Sequence, residues 1–267
     1  MSQFMKSNQL ISIIMTCFNG EQYLRESISS IMSQTYKEWE IIFIDNNSND
    51  KSREIILSYD DDRIKYFQLN ETLNLGSVRS FALSKCFGHF ITFLDVDDIW
   101  CKFKLERQIR KFLNDNRIDV LYTNYYKFSK YDKKKIEKKL FRGKCQKEII
   151  ISYINGLPLT AWLTLMIKKS AISNLEYDFD KKLHIASDFD LIIRLSKFCF
   201  FDYLDDFLCS YRIHDLNESK NKKKEIYELF YIINKYKKDT SINKILSTNL
   251  FSKKIYLKYL FFKFGLF

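Results

Sequence analysis

The stretch Phe90-Ile-Thr-Phe-Leu-Asp-Val-Asp-Asp98 joins a short apolar run to three carboxylates within four residues. The apolar part predicts a buried strand, His89–Leu94, which ends where the acidic part begins. Neighbouring carboxylates repel one another unless a cation compensates them, and Mg²⁺ and Mn²⁺ prefer carboxylate oxygen, often shared with phosphate. The stretch therefore indicates a metal site at the end of a strand. The plainer interpretation is a solvated acidic turn before a helix that starts at Lys102.

Strands and helices alternate on both sides of this stretch. The apolar periodicities predict further strands at Leu10–Thr16, Trp39–Ile44, Ile64–Leu69, Asp119–Lys127, Leu163–Lys168 and Phe200–Arg212. They predict helices at Glu21–Gln34, Lys51–Tyr59, Leu75–Cys86, Lys102–Asn114, Asp188–Lys197, Lys223–Lys238 and Ser241–Phe264. This order predicts an α/β fold with a mostly parallel sheet flanked by helices. We divide the chain into residues 1–217 and a C-terminal helical appendage, 218–267, with an exposed excursion over Ser129–Lys147.

Composition limits the classes of protein that fit. The chain has 267 residues and a net charge of +11, so its surface attracts nucleic acid, acidic lipid or phosphorylated small molecules. The six cysteines lack C-x-x-C spacing, which argues against a zinc site and indicates free thiols in a reducing cytoplasm. We expect neither a secretory signal nor a membrane-spanning segment. The basic, aromatic segment Phe251–Phe267 fits a helix at an anionic membrane interface, or a terminal helix packed on the domain.

Polar residues follow three of the predicted strands. Thr16 and Asn19 come at or after the end of the first strand, Asp45 ends the second, and Asp95–Asp98 follow the fourth. In open α/β sheets, ligands bind beyond the carboxyl ends of the strands. A single aspartate at such a position is usually a turn or cap residue. Three such ends on one edge instead indicate a ligand site.

Two later segments carry further candidates. Asp188 opens a predicted helix, where a carboxylate is either structural or a general base held at a cleft. The spacing Ser187-x-x-Asp190 fits a capping box, so we interpret Asp190 as a capping group. The segment Tyr211-Arg-Ile-His214 ends a strand. There Arg212 and His214 either are solvated or neutralise a diphosphate.

Four motifs in order now carry a resemblance. They are Ser12-Ile-Ile-Met-Thr-Cys-Phe-Asn-Gly20, Ile44-Asp-Asn-Asn-Ser-Asn-Asp50, Asn74-Leu-Gly-Ser-Val-Arg79 and Phe93-Leu-Asp-Val-Asp-Asp98. Together they resemble the family 2 glycosyltransferases, which have the GT-A fold. The match in order and spacing covers about residues 10–100. It continues more loosely to about residue 215 through Ser187-Asp-Phe-Asp-Leu191 and Tyr211-Arg-Ile-His214.

The resemblance implies a role for each matching residue. Thr16, Asp45 and Arg79 would lie at the nucleotide base, and Asp97 would hold the ribose or sugar. Asp188 would deprotonate the acceptor hydroxyl as the catalytic base. The expected nucleotide-sugar set is Thr16, Asn19, Asp45, Arg79, Asp95 and Asp97. The expected ligands of Mn²⁺ or Mg²⁺ are Asp98, Asp97 and His214.

The sequence departs from the family pattern in two places. The first strand usually ends in Pro-x-Tyr-Asn, whereas this chain has Thr16-Cys-Phe-Asn19. The acid before the catalytic aspartate is usually Glu, and Ser187 stands there instead. The second departure bears on the contact with the acceptor, and hence on acceptor identity.

We therefore expect an inverting glycosyltransferase that moves a hexose from a nucleotide-diphosphate sugar, UDP-sugar first, to a sugar acceptor. The expected acceptor is a lipid-linked intermediate of O-antigen, capsule or lipooligosaccharide assembly, reached from the cytoplasm at the inner membrane surface. Two other classes stay open. A sugar-nucleotide nucleotidyltransferase would show a Gly-rich, basic loop after the first strand, and Cys17-Phe-Asn-Gly20 lacks it. A nucleic-acid-binding protein would fit the charge, but no recognisable motif supports it, and we expect no nucleic-acid partner.

Overall fold

The computed structural model describes residues 9–136, 142–144, 146–154, 161–248 and 259–260. The strands in chain order are β1 (Ile11–Cys17), β2 (Trp39–Asp45), β3 (Ile64–Gln68), β4 (Phe90–Phe93), β5 (Ile99–Trp100), β6 (Val120–Phe128), β7 (Lys133–Ile136), β8 (Met166–Lys168) and β9 (Phe201–Arg212). The helices are α1 (Glu21–Met32), α2 (Ser52–Leu57), α3 (Leu75–Ser84), α4 (Lys104–Asn114), α5 (Gln146–Ile154), α6 (Lys169–Ser173), α7 (Ser187–Leu195), α8 (Lys222–Lys235) and α9 (Thr240–Thr248).

The strands form one sheet in the order β3-β2-β1-β4-β8-β6-β9-β5, with β7 paired to the last four residues of β6. The first four strands run parallel, as the alternation of strands and helices predicts. Beyond β4 the sheet is mixed. Strand β8 is antiparallel to both of its neighbours, β4 and β6, whereas β6 and β9 run parallel to each other. The carboxyl ends of β1, β2 and β4 therefore meet at one edge.

Helices cover both faces of the parallel half. Successive residues of β1 face opposite sides of the sheet. Ile13 belongs to an apolar cluster that includes residues of α1, α2 and α4, and Ile14 to one that includes residues of α3, α6 and α7. The two inner strands of the parallel half, β1 and β2, are buried almost throughout. A strand covered on both faces reads as a continuous apolar run, which explains why these strands were predictable.

The C-terminal helices pack on the domain through a third apolar cluster. Ile232 of α8 and Ile242 of α9 lie with Ile150 of α5 and with Phe189 and Ile193 of α7. The division at residue 217 stays a prediction. The described part of the appendage is nevertheless in direct apolar contact with the preceding residues.

The Lys-rich excursion and the helix at Asp188 differ in part from the sequence-based expectation. Within Ser129–Lys147, residues Lys133–Ile136 form β7, although the three lysines are exposed as predicted. The predicted capping box at α7 is wrong, because the helix begins one residue earlier, with Ala186 as its N-cap. Asp190 is fully buried and accepts from Arg194 Nε at 3.0 Å instead of capping the helix.

No helix among the described residues is long and apolar enough to cross a membrane. The five cysteines that the structure describes carry free thiols, and Cys145 lies outside the described residues. Most of the segment Phe251–Phe267 also lies outside them.

Candidate active site

The acidic run after β4 forms a turn that α1 holds in place. Asp98 N donates to Asp95 O at 3.1 Å and closes the turn. Ser27 Oγ lies 2.8 Å from Val96 O and 2.5 Å from Asp98 O, so this hydroxyl tethers the turn to the helix. In an extended strand Asp95 and Asp97 would share one face and Asp98 would lie on the other. The turn instead places Asp95 near Arg79, and Asp97 and Asp98 near the end of β9.

The loop after β1 packs directly on this turn. A Cβ atom at Gly20 would lie 2.8 Å from Val96 Cγ2, closer than side chains tolerate, so glycine permits the approach. Asn19 adopts a φ of 53°, a conformation that asparagine accepts more readily than most residues. Its Oδ1 accepts from Asn49 N at 2.9 Å, which joins the loop after β1 to the loop after β2. Thr16 is partly buried at the end of β1, beside Ile44.

Asp45 is fully buried at the end of β2. Its Oδ1 accepts from Ser48 N at 2.8 Å, and its Oδ2 accepts from Tyr66 Oη at 3.0 Å. Burial, followed by the hydrogen bond and charge of Asp45, raises the pKa of Tyr66 to about 12. The carboxylate is thus fixed in orientation, with further lone pairs open to accept from a ligand N–H.

Arg79 connects the two halves of the site. Its side chain is almost fully buried, and its guanidinium lies 4.4 Å above the centre of the Trp162 ring. Nη2 is 3.9 Å from Asp95 Oδ1, and Nη1 donates to Ser187 Oγ at 2.8 Å. A single cation therefore lies between the turn after β4 and the start of α7.

Asp188 lies in the first turn of α7, where its Oδ1 accepts from Phe189 N at 2.7 Å. Burial raises its pKa above the ordinary aspartate value, and the charge of Arg79 offsets part of that rise. The Asp95 side chain is 38% exposed, yet desolvation, together with Asp97 and Asp188, raises its pKa to about 6. The geometry thus places two carboxyl groups of elevated pKa around one arginine, an arrangement typical of functional sites.

The other two acids of the run face the end of β9. Asp97 Oδ2 lies 2.7 Å from His214 Nε2 and also accepts from Asn217 Nδ2 at 3.3 Å. Asp98 is buried, and its Oδ1 accepts from Arg212 N at 2.8 Å. Burial and the neighbouring acids Asp97 and Asp95 raise the pKa of Asp98 well above its ordinary value.

The side chains of Asp97, Asp98 and His214 meet some of the requirements of a divalent cation site. Asp97 carries an oxygen and His214 a nitrogen of the kinds that bind such ions, and these two atoms lie 2.7 Å apart. Mg²⁺ in proteins often takes only one or two side-chain ligands, with phosphate and water completing its shell. Asp98 points one oxygen at the Arg212 amide. No group of three His, Cys, Asp or Glu side chains is arranged as a metal site within the described ranges. The expected set of three ligands, Asp97, Asp98 and His214, therefore remains a prediction.

Several residues around these groups carry no motif in the sequence. Trp162, Tyr66 and Asn217 contact Arg79, Asp45 and Asp97 respectively. Each comes from a segment far along the chain from its partner, so local spacing gives no signal for the pairing. For Asn217 the sequence gives a partial signal, because this residue lies three residues after His214, which was predicted to bind the metal.

The mixed sheet with helices on its faces is that of the GT-A glycosyltransferases. The family profile "Glycosyl transferase family 2" matches residues 12–174, and the chain belongs to this family. The match favours the glycosyltransferase over the nucleotidyltransferase and nucleic-acid-binding alternatives. It ends before Asp188.

Two relatives illustrate the similarity in sequence. An uncharacterised glycosyltransferase of Methanocaldococcus jannaschii is 33% identical over 228 residues, which cover 83% of this chain and 77% of the relative. The UDP-Glc:alpha-D-GlcNAc-diphosphoundecaprenol beta-1,3-glucosyltransferase WfgD of Escherichia coli is 42% identical over 116 residues, which cover 43% of this chain and 46% of that protein.

Two solved structures share the fold. S. aureus TarS 1-349 in complex with UDP superposes with a TM-score of 0.67 at 19% identity, covering 85% of this chain and 65% of that one. The mannosyltransferase PcManGT from Pyrobaculum calidifontis, solved with GDP-Man and Mn²⁺, gives a TM-score of 0.64 at 14% identity, covering 86% of this chain and 64% of that one. The chain spans slightly less than two thirds of the length of either structure.

Proposed function

We propose that this protein is an inverting hexosyltransferase with Asp188 as the catalytic base. The observation that carries the proposal is the arrangement of Asp188, Arg79 and Asp95. A partly desolvated carboxylate lies beside the cation that also faces the turn after β4. A general base works best when its pKa approaches the working pH, and desolvation moves Asp188 in that direction.

The proposed reaction is a single displacement. Asp188 accepts the proton of the acceptor hydroxyl while that oxygen attacks the anomeric carbon, and the bond from this carbon to the diphosphate oxygen breaks. The nucleoside diphosphate departs from the opposite side, so the anomeric configuration inverts. Proton transfer requires Asp188 within about 3 Å of the hydroxyl in the ternary complex.

We assign the nucleotide to the edge formed by β1, β2 and β4. Asp45 is oriented by Ser48 and Tyr66 and retains acceptor capacity for the N–H of a uracil ring. Thr16 and Asn19 line the same edge, and Asp97 holds the ribose or sugar hydroxyls. The UDP bound to TarS, a protein of the same fold, supports a UDP-sugar as the first donor to test.

The proposed cofactor is Mn²⁺ or Mg²⁺ at Asp97 and His214, with Asp98 next to them. When bound, such a cation stabilises negative charge on the departing diphosphate. The pairing of Asp97 with His214 supports the position, and the Mn²⁺ in the mannosyltransferase structure supports the choice of metal. Arg212 adds a fixed positive charge beside them.

We propose a lipid-linked diphosphate saccharide as the acceptor, in the assembly of O-antigen, capsule or lipooligosaccharide. The support is the E. coli relative, whose name specifies a GlcNAc-diphosphoundecaprenol acceptor. We further propose that the enzyme works in the cytoplasm, peripherally at the inner face of the cell membrane. Its net charge of +11 favours an anionic surface. Tyr259, a described residue of the terminal segment, stacks on Phe230 of α8 at 4.0 Å, which favours packing of this part against the domain.

The experiment is donor cleavage across a panel of nucleotide sugars with Mn²⁺, followed by transfer to short-chain lipid-diphosphate GlcNAc. We expect release of UDP from one UDP-hexose and formation of one product with inverted anomeric configuration. Release of nucleotide diphosphate from no donor would refute the proposal, and a retained configuration would refute the single displacement.

A further inference from the structure

Glu228 of helix α8 lies outside every motif of the sequence and outside the family match. Its side chain is buried, and both oxygens face the main chain that leads into Asp188. Oε1 accepts from His184 N at 3.0 Å, and Oε2 accepts from Ala186 N at 2.8 Å. One carboxylate thus binds two amides that lie four and two residues before Asp188.

This contact replaces a cap that the helix lacks. Helix α7 has Ala186 as its N-cap, and the side chain of this residue has no hydrogen-bond acceptor with which to cap the helix. The first amides of a helix have no acceptor within the helix, and in a capping box a nearby acid accepts from the N-cap amide. Glu228 supplies that acceptor from a different helix. A carboxylate is also favoured at the positive end of a helix dipole.

The same segment is held on its other side by α3. Leu75 N donates to His184 Nδ1 at 3.0 Å, and Gly76 N donates to Leu183 O at 3.0 Å. A Cβ atom at Gly76 would lie 2.3 Å from Asp180 O, so glycine is required for this approach. Together with the bond from Arg79 to Ser187, these contacts fix residues 183–187 between α3 and α8.

Helix α8 is itself fixed against this part of the chain. Lys235 Nζ donates to Asp180 Oδ2 at 2.6 Å and to Asp190 Oδ1 at 2.5 Å. Tyr236 Oη donates to Asp190 Oδ1 at 2.8 Å. Lys235 follows Glu228 by two helical turns, so α8 is attached at two points along its length.

We propose that Glu228 is a positioning residue for Asp188. It fixes the main chain at His184 and Ala186 so that the Asp188 carboxylate points at the acceptor hydroxyl, and it takes no proton itself. The inference rests on the proposed function of Asp188. It makes α8 part of the catalytic unit, although this helix lies beyond the predicted boundary at residue 217.

The test compares Glu228→Gln with Glu225→Gln. Glutamine keeps the shape but turns an NH₂ group towards one of the two amides. Glu225, on the same helix, pairs with Lys222 at 2.8 Å and serves as the matched control. We expect Glu228→Gln to lower kcat for sugar transfer about 10- to 100-fold, the usual cost of a small misplacement of a reacting group. The Kd for UDP-sugar should stay unchanged, and Glu225→Gln should match the wild type in both.

An unchanged kcat in Glu228→Gln would overturn the proposal. A loss of affinity for UDP-sugar as large as the loss of kcat would also overturn it, because it would signal general damage to the site. If Glu228→Gln does not fold, Glu228→Asp tests the same contact, because it keeps the charge but withdraws the carboxylate by one methylene. Wild-type kcat in Glu228→Asp would then overturn the proposal, and a lower kcat with intact donor binding would support it.

Failure of the proposed function would be distinguishable, because the wild type would then transfer no sugar. Hydrogen exchange would in that case test the contact directly. We expect the amides of residues 184–188 to exchange faster in Glu228→Gln than in Glu225→Gln, and equal exchange would overturn the inference.

Discussion

Arg79 of α3 donates a hydrogen bond of 2.8 Å to the hydroxyl of Ser187, the residue directly before Asp188. The same guanidinium lies 3.9 Å from Asp95, so one cation joins the turn after β4 to the start of α7. The family pattern usually has Glu at position 187. A hydroxyl there accepts from Arg79 without adding a carboxylate, and Asp188 remains the acid of α7 next to this cation.

Ser187→Ala should weaken both the fold and the transfer reaction. The substitution removes an acceptor from a buried guanidinium, which we expect to lower the free energy of unfolding by about 1–3 kcal/mol. Chemical denaturation measures this, with Ser84→Ala as a control. Ser84 lies on the exposed side of α3, and its hydroxyl donates to Phe81 O. Equal stability of the two variants would show that the bond from Arg79 to Ser187 contributes nothing.

The acid limb of the pH–rate profile should report Asp188. Burial raises its pKa, and the base works only when deprotonated, so transfer should fall as the pH drops through this raised value. The charge of Arg79 lowers the same pKa, so Arg79→Gln should move the acid limb to higher pH. The measurement is kcat/KM against pH for the wild type, for Arg79→Gln and for a control, Arg110→Gln, which changes an exposed arginine of α4. An acid limb that stays in place or moves to lower pH in Arg79→Gln would contradict this assignment.

Asn217 should tune the affinity for the metal through Asp97. Its amide donates to Asp97 Oδ2 at 3.3 Å and to Arg212 O at 3.2 Å. Loss of such a supporting contact typically costs about 10- to 100-fold in metal affinity. We expect EDTA to stop transfer and Mn²⁺ to restore it. Asn217→Ala should need correspondingly more Mn²⁺ for half-maximal activity than the control Asn116→Ala, which changes an exposed residue in the turn after α4. If the two variants reach half-maximal activity at the same Mn²⁺ concentration, Asn217 has no role in metal affinity. Sugar transfer that continues in EDTA would refute the dependence on a metal.

Lys104 should make stability depend on pH. It is fully buried, donates to Gln108 Oε1 at 2.7 Å and to Thr92 Oγ1 at 3.0 Å, and lies over the Trp100 ring. Burial lowers its pKa to about 8, against 10.5 in a free side chain. The unfolded chain therefore binds more protons between these two pH values, and the contribution of Lys104 to stability rises with pH across that window.

The two pKa values differ by about 2.5, which at about 1.4 kcal/mol per pH unit is about 3 kcal/mol. We expect the wild type to gain about this much stability over Lys104→Met between pH 8 and pH 10.5. Urea denaturation of both proteins across this range measures the difference. A difference that does not change with pH would mean that Lys104 keeps its charge in the folded protein.

The sequence predicts the parallel half of the fold well because its signals are local. Strands such as Trp39–Asp45 are buried on both faces, and the apolar run that results is visible without knowledge of any partner. Strand β5 has only two residues, Ile99–Trp100, and exists through its pairing with β9 more than 100 residues later. A pairing at that separation leaves no periodicity in the sequence.

The distinction between local signals and contacts of distant segments also applies to the candidate active site. The acids after β4 are visible as a run, whereas Glu228 looks like an ordinary charge on an amphipathic helix. The capping-box prediction at Ser187 was wrong for a related reason. The carboxylate that accepts from the N-cap amide of α7 comes from α8, and Ser187 is engaged by Arg79 and His184. Spacing within a segment cannot reveal which acceptor arrives from elsewhere.

The central claim, that Asp188 is the base, is tested most directly by Asp188→Asn. The variant and Asp62→Asn, an exposed control before β3, are assayed for transfer and for binding of the UDP-sugar that the wild type uses. We predict that Asp188→Asn lowers kcat for transfer by about 10²- to 10⁴-fold, while its Kd for the UDP-sugar equals that of the control. Wild-type kcat, or a loss of donor binding as large as the loss of transfer, would contradict the account.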